Sequence, residues 1–157
     1  MKKAFFLLAL VAACASPAAE KKAGEVVEVG KVTWSGEAKS GGEVKATIKF
    51  TVGAGHHVNS SQPTRDYLVP TKLTIASTNG VKAGAVQYGA TKSLPVPGEK
   101  PEPGYEEEVT ITVPLTIAAD AKLPVTLPAV LGYQACEGKV CYPPRKLKFD
   151  LVVGAGK

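Results

Sequence analysis

An all-β protein, built as an antiparallel sandwich of two sheets, is what this sequence predicts. Three observations carry the prediction. The 157 residues include 16 glycines and 12 prolines against 6% aromatics, with Val, Thr and Lys prominent, a mix that favours strands and turns. Apolar and polar residues alternate with period two in several separate stretches, the signature of strands with one buried face. No long segment shows helical period, and the length suits one domain able to bury a core without disulfides.

Taken in order, the chain opens on an export signal. Lys2 and Lys3 supply the charge, and the apolar run from Ala4 to Ala13 is too short to span a bilayer. The run ends in "VAAC", Val11 to Cys14, which resembles the site where a lipoprotein signal peptidase cuts before a cysteine that becomes acylated. "ACA" at 13–15 also fits ordinary small-x-small cleavage, which would remove Cys14. The expected organisation is a signal over 1–13, a lipid-anchored flexible tether over 14–24 and one folded domain over 25–157. The stretch "ASPAAEKKAG" has the small, polar, aperiodic composition of a linker.

The strands follow. In "EVKATIKFTV", Val44, Ala46, Ile48, Phe50 and Val52 alternate with Lys45, Thr47, Lys49 and Thr51. In "EVTITVPLTI", Val109, Ile111, Val113, Leu115 and Ile117 do the same, with Pro114 on the polar face, which predicts an edge position. Leu147, Phe149, Leu151 and Val153 form a third inward row. Weaker strands are expected over 26–34, with Trp34 in the core, and over 68–76, 81–88 and 125–135. That makes about seven, a sandwich's worth. Residues 88–105 hold four prolines and three glycines, which predicts a long loop without a central strand. The acidic run Glu106 to Glu108 predicts a solvated edge that discourages pairing.

The formal charge of +5 falls to +3 without Lys2 and Lys3, and the lysines lie scattered among acidic residues. A nucleic-acid partner is not implied. Export places the chain where disulfides form and persist, and with Cys14 lipidated or removed, Cys136 and Cys141 are left for each other. Between them "CEGKVC" offers Gly138 for a tight turn that brings the two within disulfide reach. So small a ring adds only about 2 kcal/mol of stability. Lys139, Arg145 and Lys146 favour thiolate chemistry nearby, and Pro143 and Pro144 stiffen the exit. From spacing alone, a structural disulfide and a reactive pair are both open. No metal or other cofactor is expected. Two cysteines are half a zinc site, His56 and His57 would point to opposite faces if extended, and the sole methionine, Met1, goes with the signal. One histidine is expected beside an Asn59 turn and the other in solvent.

"YQACEGKVCYPP", Tyr133 to Pro144, resembles the active-site segment of the N-terminal periplasmic domain of the thiol:disulfide interchange protein DsbD, where tyrosine and glutamine precede the first cysteine and tyrosine and two prolines follow the second. "GHHVNSSQPTRDYLVPTKLTI", Gly55 to Ile75, is similar to a second segment of that family. The likeness runs from about Val26 to Val153. The resemblance implies an immunoglobulin-like antiparallel β-sandwich with the cysteine pair at one end, cycling between dithiol and disulfide. It implies thioredoxin-fold partners, a periplasmic location and a place among thiol oxidoreductases and cytochrome c maturation factors. Cys141 would form the mixed disulfide and Cys136 would resolve it, with Tyr133, Gln134, Tyr142 and Pro143 shaping the pocket. The cysteine spacing is one residue shorter than in the best-known member. That family's cap loop carries an aromatic shield, whereas the matching loop here has no Phe; Leu94, Tyr88 or Tyr105 would have to serve. The expectation is a monomeric shuttle domain without the family's membrane carrier and thioredoxin-like domain, held on an unspecified membrane by lipid. The alternative is an immunoglobulin-like lipoprotein binding module whose disulfide is structural.

Overall fold

The computed structural model describes residues 26–96 and 98–154. The expected signal, Cys14 and the tether therefore lie outside the described residues. Among the described residues there are thirteen strands and no helix. They are β1 (Val27–Trp34), β2 (Glu43–Val52), β3 (His57–Asn59), β4 (Lys72–Ile75), β5 (Val81–Ala83), β6 (Gln87–Tyr88), β7 (Lys92–Leu94), β8 (Glu102–Glu106), β9 (Glu108–Ile117), β10 (Val125–Tyr133), β11 (Ala135–Glu137), β12 (Val140–Cys141) and β13 (Arg145–Val153).

The fold is an immunoglobulin-like antiparallel β-sandwich. One sheet runs β1-β2-β9-β5, with β6 also on β9; the other runs β13-β10-β4. The alternating rows read from the sequence are its inner faces. Ala46, Ile48 and Phe50 of β2, Val109, Ile111 and Leu115 of β9, Leu127 and Leu131 of β10 and Leu151 of β13 are almost fully excluded from water. Phe50 meets Phe149 edge-on across the layers, ring centroids 5.5 Å apart, a geometry aromatic pairs favour.

Four expectations are corrected. Pro114 is not on an edge strand: β9 pairs with β2 on one side and with β5 and β6 on the other. The proline is tolerated because its neighbour is interrupted there. Pairing stops at Ala83, resumes at Gln87, and Gly84 donates to the Pro114 carbonyl at 2.8 Å. Residues 88–105 are not one loop, since β8 lies between β3 and β7. Pro103 sits on β8 just past the end of β3, and the Ser60 carbonyl that its missing N–H would have met accepts the Thr71 N–H instead, at 3.0 Å. The acidic run does not block pairing: Glu106 opposes His57, Glu108 opposes Thr51, and between them Glu107 takes a left-handed φ of 64°. Trp34 is half-buried at the end of an outer strand, packed against the core rather than within it.

At Gln134 the chain leaves β10 and enters a third sheet, β12-β11-β3-β8-β7, which the alternation did not announce. Val58, Tyr105 and Ala135 face one way and join the core. The residues that alternate with them form the other face, and both cysteines are on it.

Candidate functional site

The cysteine pair is built on a two-strand hairpin. Gly138 takes φ of 56° in the turn, as its lack of a side chain permits, and Cys136 stands directly opposite Cys141. The two are disulfide-bonded, with Cα atoms 4.0 Å apart. Their surroundings differ sharply. Cys136 is 1% exposed, whereas Cys141, on the outer strand, is exposed.

Row by row, the antiparallel register sets Cys141, Cys136, His57 and Glu106 side by side across β12, β11, β3 and β8. A cleft of about 320 Å³ opens over this row, walled by Leu94 and Val96 from one loop and by Tyr67 and Leu68 from another. Gly104 lets Leu94 lie close: a Cβ there would stand 2.3 Å from Leu94 Cδ1 and 2.8 Å from the Val58 carbonyl. Of the three shields considered, only Leu94 lines the cleft. The Tyr88 hydroxyl accepts the Leu73 N–H at 2.9 Å, and Tyr105 is buried on the core side.

The two loops that wall the cleft are clasped together. Glu102, 5% exposed, accepts the Thr64 N–H at 2.5 Å, the Thr64 hydroxyl at 2.6 Å and Arg65 Nη1 at 2.5 Å. Arg65 Nη2 also donates to the Lys100 carbonyl at 2.7 Å and meets Glu99 at 2.9 Å. A buried carboxylate needs such a set of donors. Sequence reading missed Arg65 and Glu102. They are far apart in the chain, and a glutamate between prolines looks like any loop charge.

Gln134 ties the sandwich to the hairpin. Its Oε1 accepts from Asn59 Nδ2 and from the Val69 N–H, each at 3.1 Å, and its Nε2 donates to the Tyr142 carbonyl at 3.2 Å. Asn59 is a strand residue, not a turn. Tyr142 lies on the hairpin face opposite the sulfurs. Its hydroxyl donates to Glu137 at 2.7 Å, which holds its pKa above the usual range. His56 is on that face too, 3.8 Å from Glu137, whereas His57 lines the cleft. Tyr133 and Pro143 belong to a neighbouring cleft with Arg145 and Lys146. Burial pushes the His57 imidazole down, Glu106 pulls it partly back and His56 lowers it further. The ring beside Cys136 is therefore neutral near pH 7 and adds no positive charge to a thiolate; among the described residues, the cation lining the cleft without an ion pair is Lys139. The arrangement offers one exposed cysteine, one buried cysteine bonded to it, and apolar side chains lining the cleft beside them.

The family model described as thiol:disulfide interchange protein DsbD, N-terminal, matches residues 23–153. Among solved structures, the chain is similar to the N-terminal domain of DsbD from Neisseria meningitidis in its reduced form, at 18% identity, covering 79% of this chain and 86% of that one with a TM-score of 0.47. It is also similar to the N-terminal periplasmic domain of ScsB from Proteus mirabilis, at 18% identity and a TM-score of 0.55, covering 83% of this chain and 47% of that one. The chain thus spans about half the length of the latter, and at this identity the likeness speaks for the fold. No curated protein matches the sequence.

Proposed function

The chain belongs to the family of the N-terminal domain of the thiol:disulfide interchange protein DsbD, and from that premise we propose that it shuttles electrons between thioredoxin-fold proteins through Cys136 and Cys141. The observation that carries this reading is the unequal exposure of two bonded cysteines on adjacent strands. In the accepting half-cycle, a partner thiolate attacks Cys141 Sγ, the bond to Cys136 breaks, and Cys136 departs as a thiolate. The partner's second thiolate then attacks its own bridged sulfur and releases Cys141. Two electrons have passed to the pair, and the partner leaves as a disulfide. In the donating half-cycle, the Cys141 thiolate attacks an acceptor's disulfide, and Cys136 attacks Cys141 Sγ to free the acceptor as a dithiol. The cleft encloses Cys136 and leaves Cys141 open to a partner.

Cys136→Ala is expected to accumulate mixed disulfides with thioredoxin-fold proteins through Cys141, read by mass spectrometry, while Cys141→Ala traps none. Equal absence of adducts from both variants, with the oxidised chain resisting reduction by a thioredoxin-like donor, would leave the other reading, a binding module with a structural bridge. The same proposal places the protein in the periplasm, exported by residues 1–13 and anchored by an acylated Cys14, with 14–24 as tether and the domain following. Palmitate labelling that survives in the wild type and is lost in Cys14→Ala tests the anchor.

A further inference from the structure

The outer face of the small sheet concentrates positive charge. Along β4, β10 and β13 the residues that alternate with the core row face outward, and the register sets them in rows. Lys72, Gly132 and Lys146 make one row; Thr74, Val130 and Lys148 make the next. Gly132 leaves bare backbone between its two lysines: a Cβ there would meet nothing nearer than the Lys72 carbonyl, at 3.8 Å. Two strand spacings, about 9.6 Å, separate the flanking strands, which leaves room for a phosphate between two ammonium groups. Arg145, at the end of β13, shares a shallow cleft of about 340 Å³ with Lys146, Pro143 and Pro144. Among the described residues, none of these four cations has an ion-pair partner. Acidic residues pair elsewhere: Glu99 and Glu102 with Arg65, Glu106 and Glu107 with Lys92, and Glu108 with Lys49. Asp150, opposite Pro128, is the acid of this face and lies one row further from the cysteine end.

The chain enters the domain at the same end. Val27 pairs with Val52, the last residue of β2, and the Gly53 N–H donates to the Val26 carbonyl at 2.7 Å. Arg145 pairs with Tyr133, where β10 gives way to β11. Both β1 and β13 therefore start at the cysteine end, and they touch across the layers. We propose that the face bearing Lys72, Lys146 and Lys148 lies on the anionic phospholipid headgroups of the bilayer that holds the anchor. Eleven residues, 15–25, separate Cys14 from the described domain, and a chain of that length reaches at most about 40 Å. An acyl group at Cys14 therefore keeps this face beside the bilayer. Each lysine close to an anionic surface strengthens binding about fivefold, a gain that salt screens. The anchor sets the distance and the face sets the orientation. On the exchange reading, Cys141 then works close to the bilayer, which favours thiol partners held there.

The orientation rests on the proposed anchor, whereas the affinity of the face is measured without it. The mature chain from position 14, carrying Cys14→Ser and so no acyl group, is sedimented at low salt with vesicles of mixed phosphatidylglycerol and phosphatidylcholine, or of phosphatidylcholine alone. Binding to the anionic vesicles is expected to be at least tenfold tighter, and to fall at least tenfold in about 0.5 M sodium chloride. Lys72→Glu, Lys146→Glu and Lys148→Glu together are expected to weaken it at least tenfold. Glutamine at the same three positions, a milder change for folding, should weaken it at least threefold. Lys31→Glu, Lys45→Glu and Lys82→Glu make the same change of charge on the larger sheet and should weaken it less than threefold. Inorganic phosphate at matched ionic strength should not displace the chain. Equal binding to both kinds of vesicle, equal weakening by the two glutamate triples, or displacement by phosphate overturns the proposal. Failed palmitate labelling at Cys14 overturns the anchor alone and leaves the vesicle result to decide the face.

Discussion

The sandwich and the cysteine sheet are held together in different ways. In the sandwich, β2 and β9 share nine registered pairs and β10 and β13 another nine, with continuous apolar rows buried between the layers. In the cysteine sheet, β11 shares two pairs with β12 and two with β3, and β8 shares three with each neighbour. Ladders that short cannot hold a sheet alone. Side chains crossing between loops make up the difference: Glu102 with Arg65 and Thr64, Gln134 with Asn59 and Tyr142, Glu137 with Tyr142. The lesson is a division of labour. The region with redundant contacts sets the fold, and the region with few, specific ones is able to open locally without unfolding the rest.

The largest expected effect breaks the sandwich. Phe50→Ala removes a fully buried ring and its partner contact and should cost about 3–5 kcal/mol in denaturant unfolding; Trp34 fluorescence and cysteine reactivity should then report one shared midpoint. Next comes the clasp. Glu102→Ala leaves the Arg65 guanidinium without its buried acceptor and should cost about 2–3 kcal/mol, while dithiothreitol reduces the disulfide faster because the two cleft walls part. Equal reduction rates would mean that the walls do not limit access. Smaller again, replacing both cysteines by alanine should cost about 2 kcal/mol and leave the sandwich intact, which two-dimensional NMR of its amides would display.

The smallest effect belongs to His57. Burial lowers its folded pKa below the usual value near 6.5, so the unfolded chain binds the proton more readily. Its contribution to stability is present above about pH 6.5 and is lost as pH falls through the lowered folded value. His57→Gln should therefore flatten the decline of stability between about pH 7 and 5 by a fraction of a kcal/mol, the half-open ring being partly screened by water. A wild type and variant that decline in parallel would show that the ring does not titrate differently on folding.

The alternating rows of β2, β9 and β13 and the disulfide-competent turn at Gly138 were legible in the chain, because both are local. Period two is read directly by a face that meets a core, and a hairpin disulfide needs only neighbours. The interrupted strand opposite Pro114 was not legible, nor was the strand hidden in 88–105. A proline forbids one hydrogen bond, and only the partner's position tells whether that bond was needed. By itself, then, the sequence determined a β-sandwich with two cysteines on a tight turn. The tertiary structure alone decided that one is buried and the other exposed, that Leu94 lines the cleft, and that Arg65 and Glu102 clasp its walls. Those facts depend on which strands are neighbours across long stretches of chain, and pairing at that range leaves no local trace in residue order.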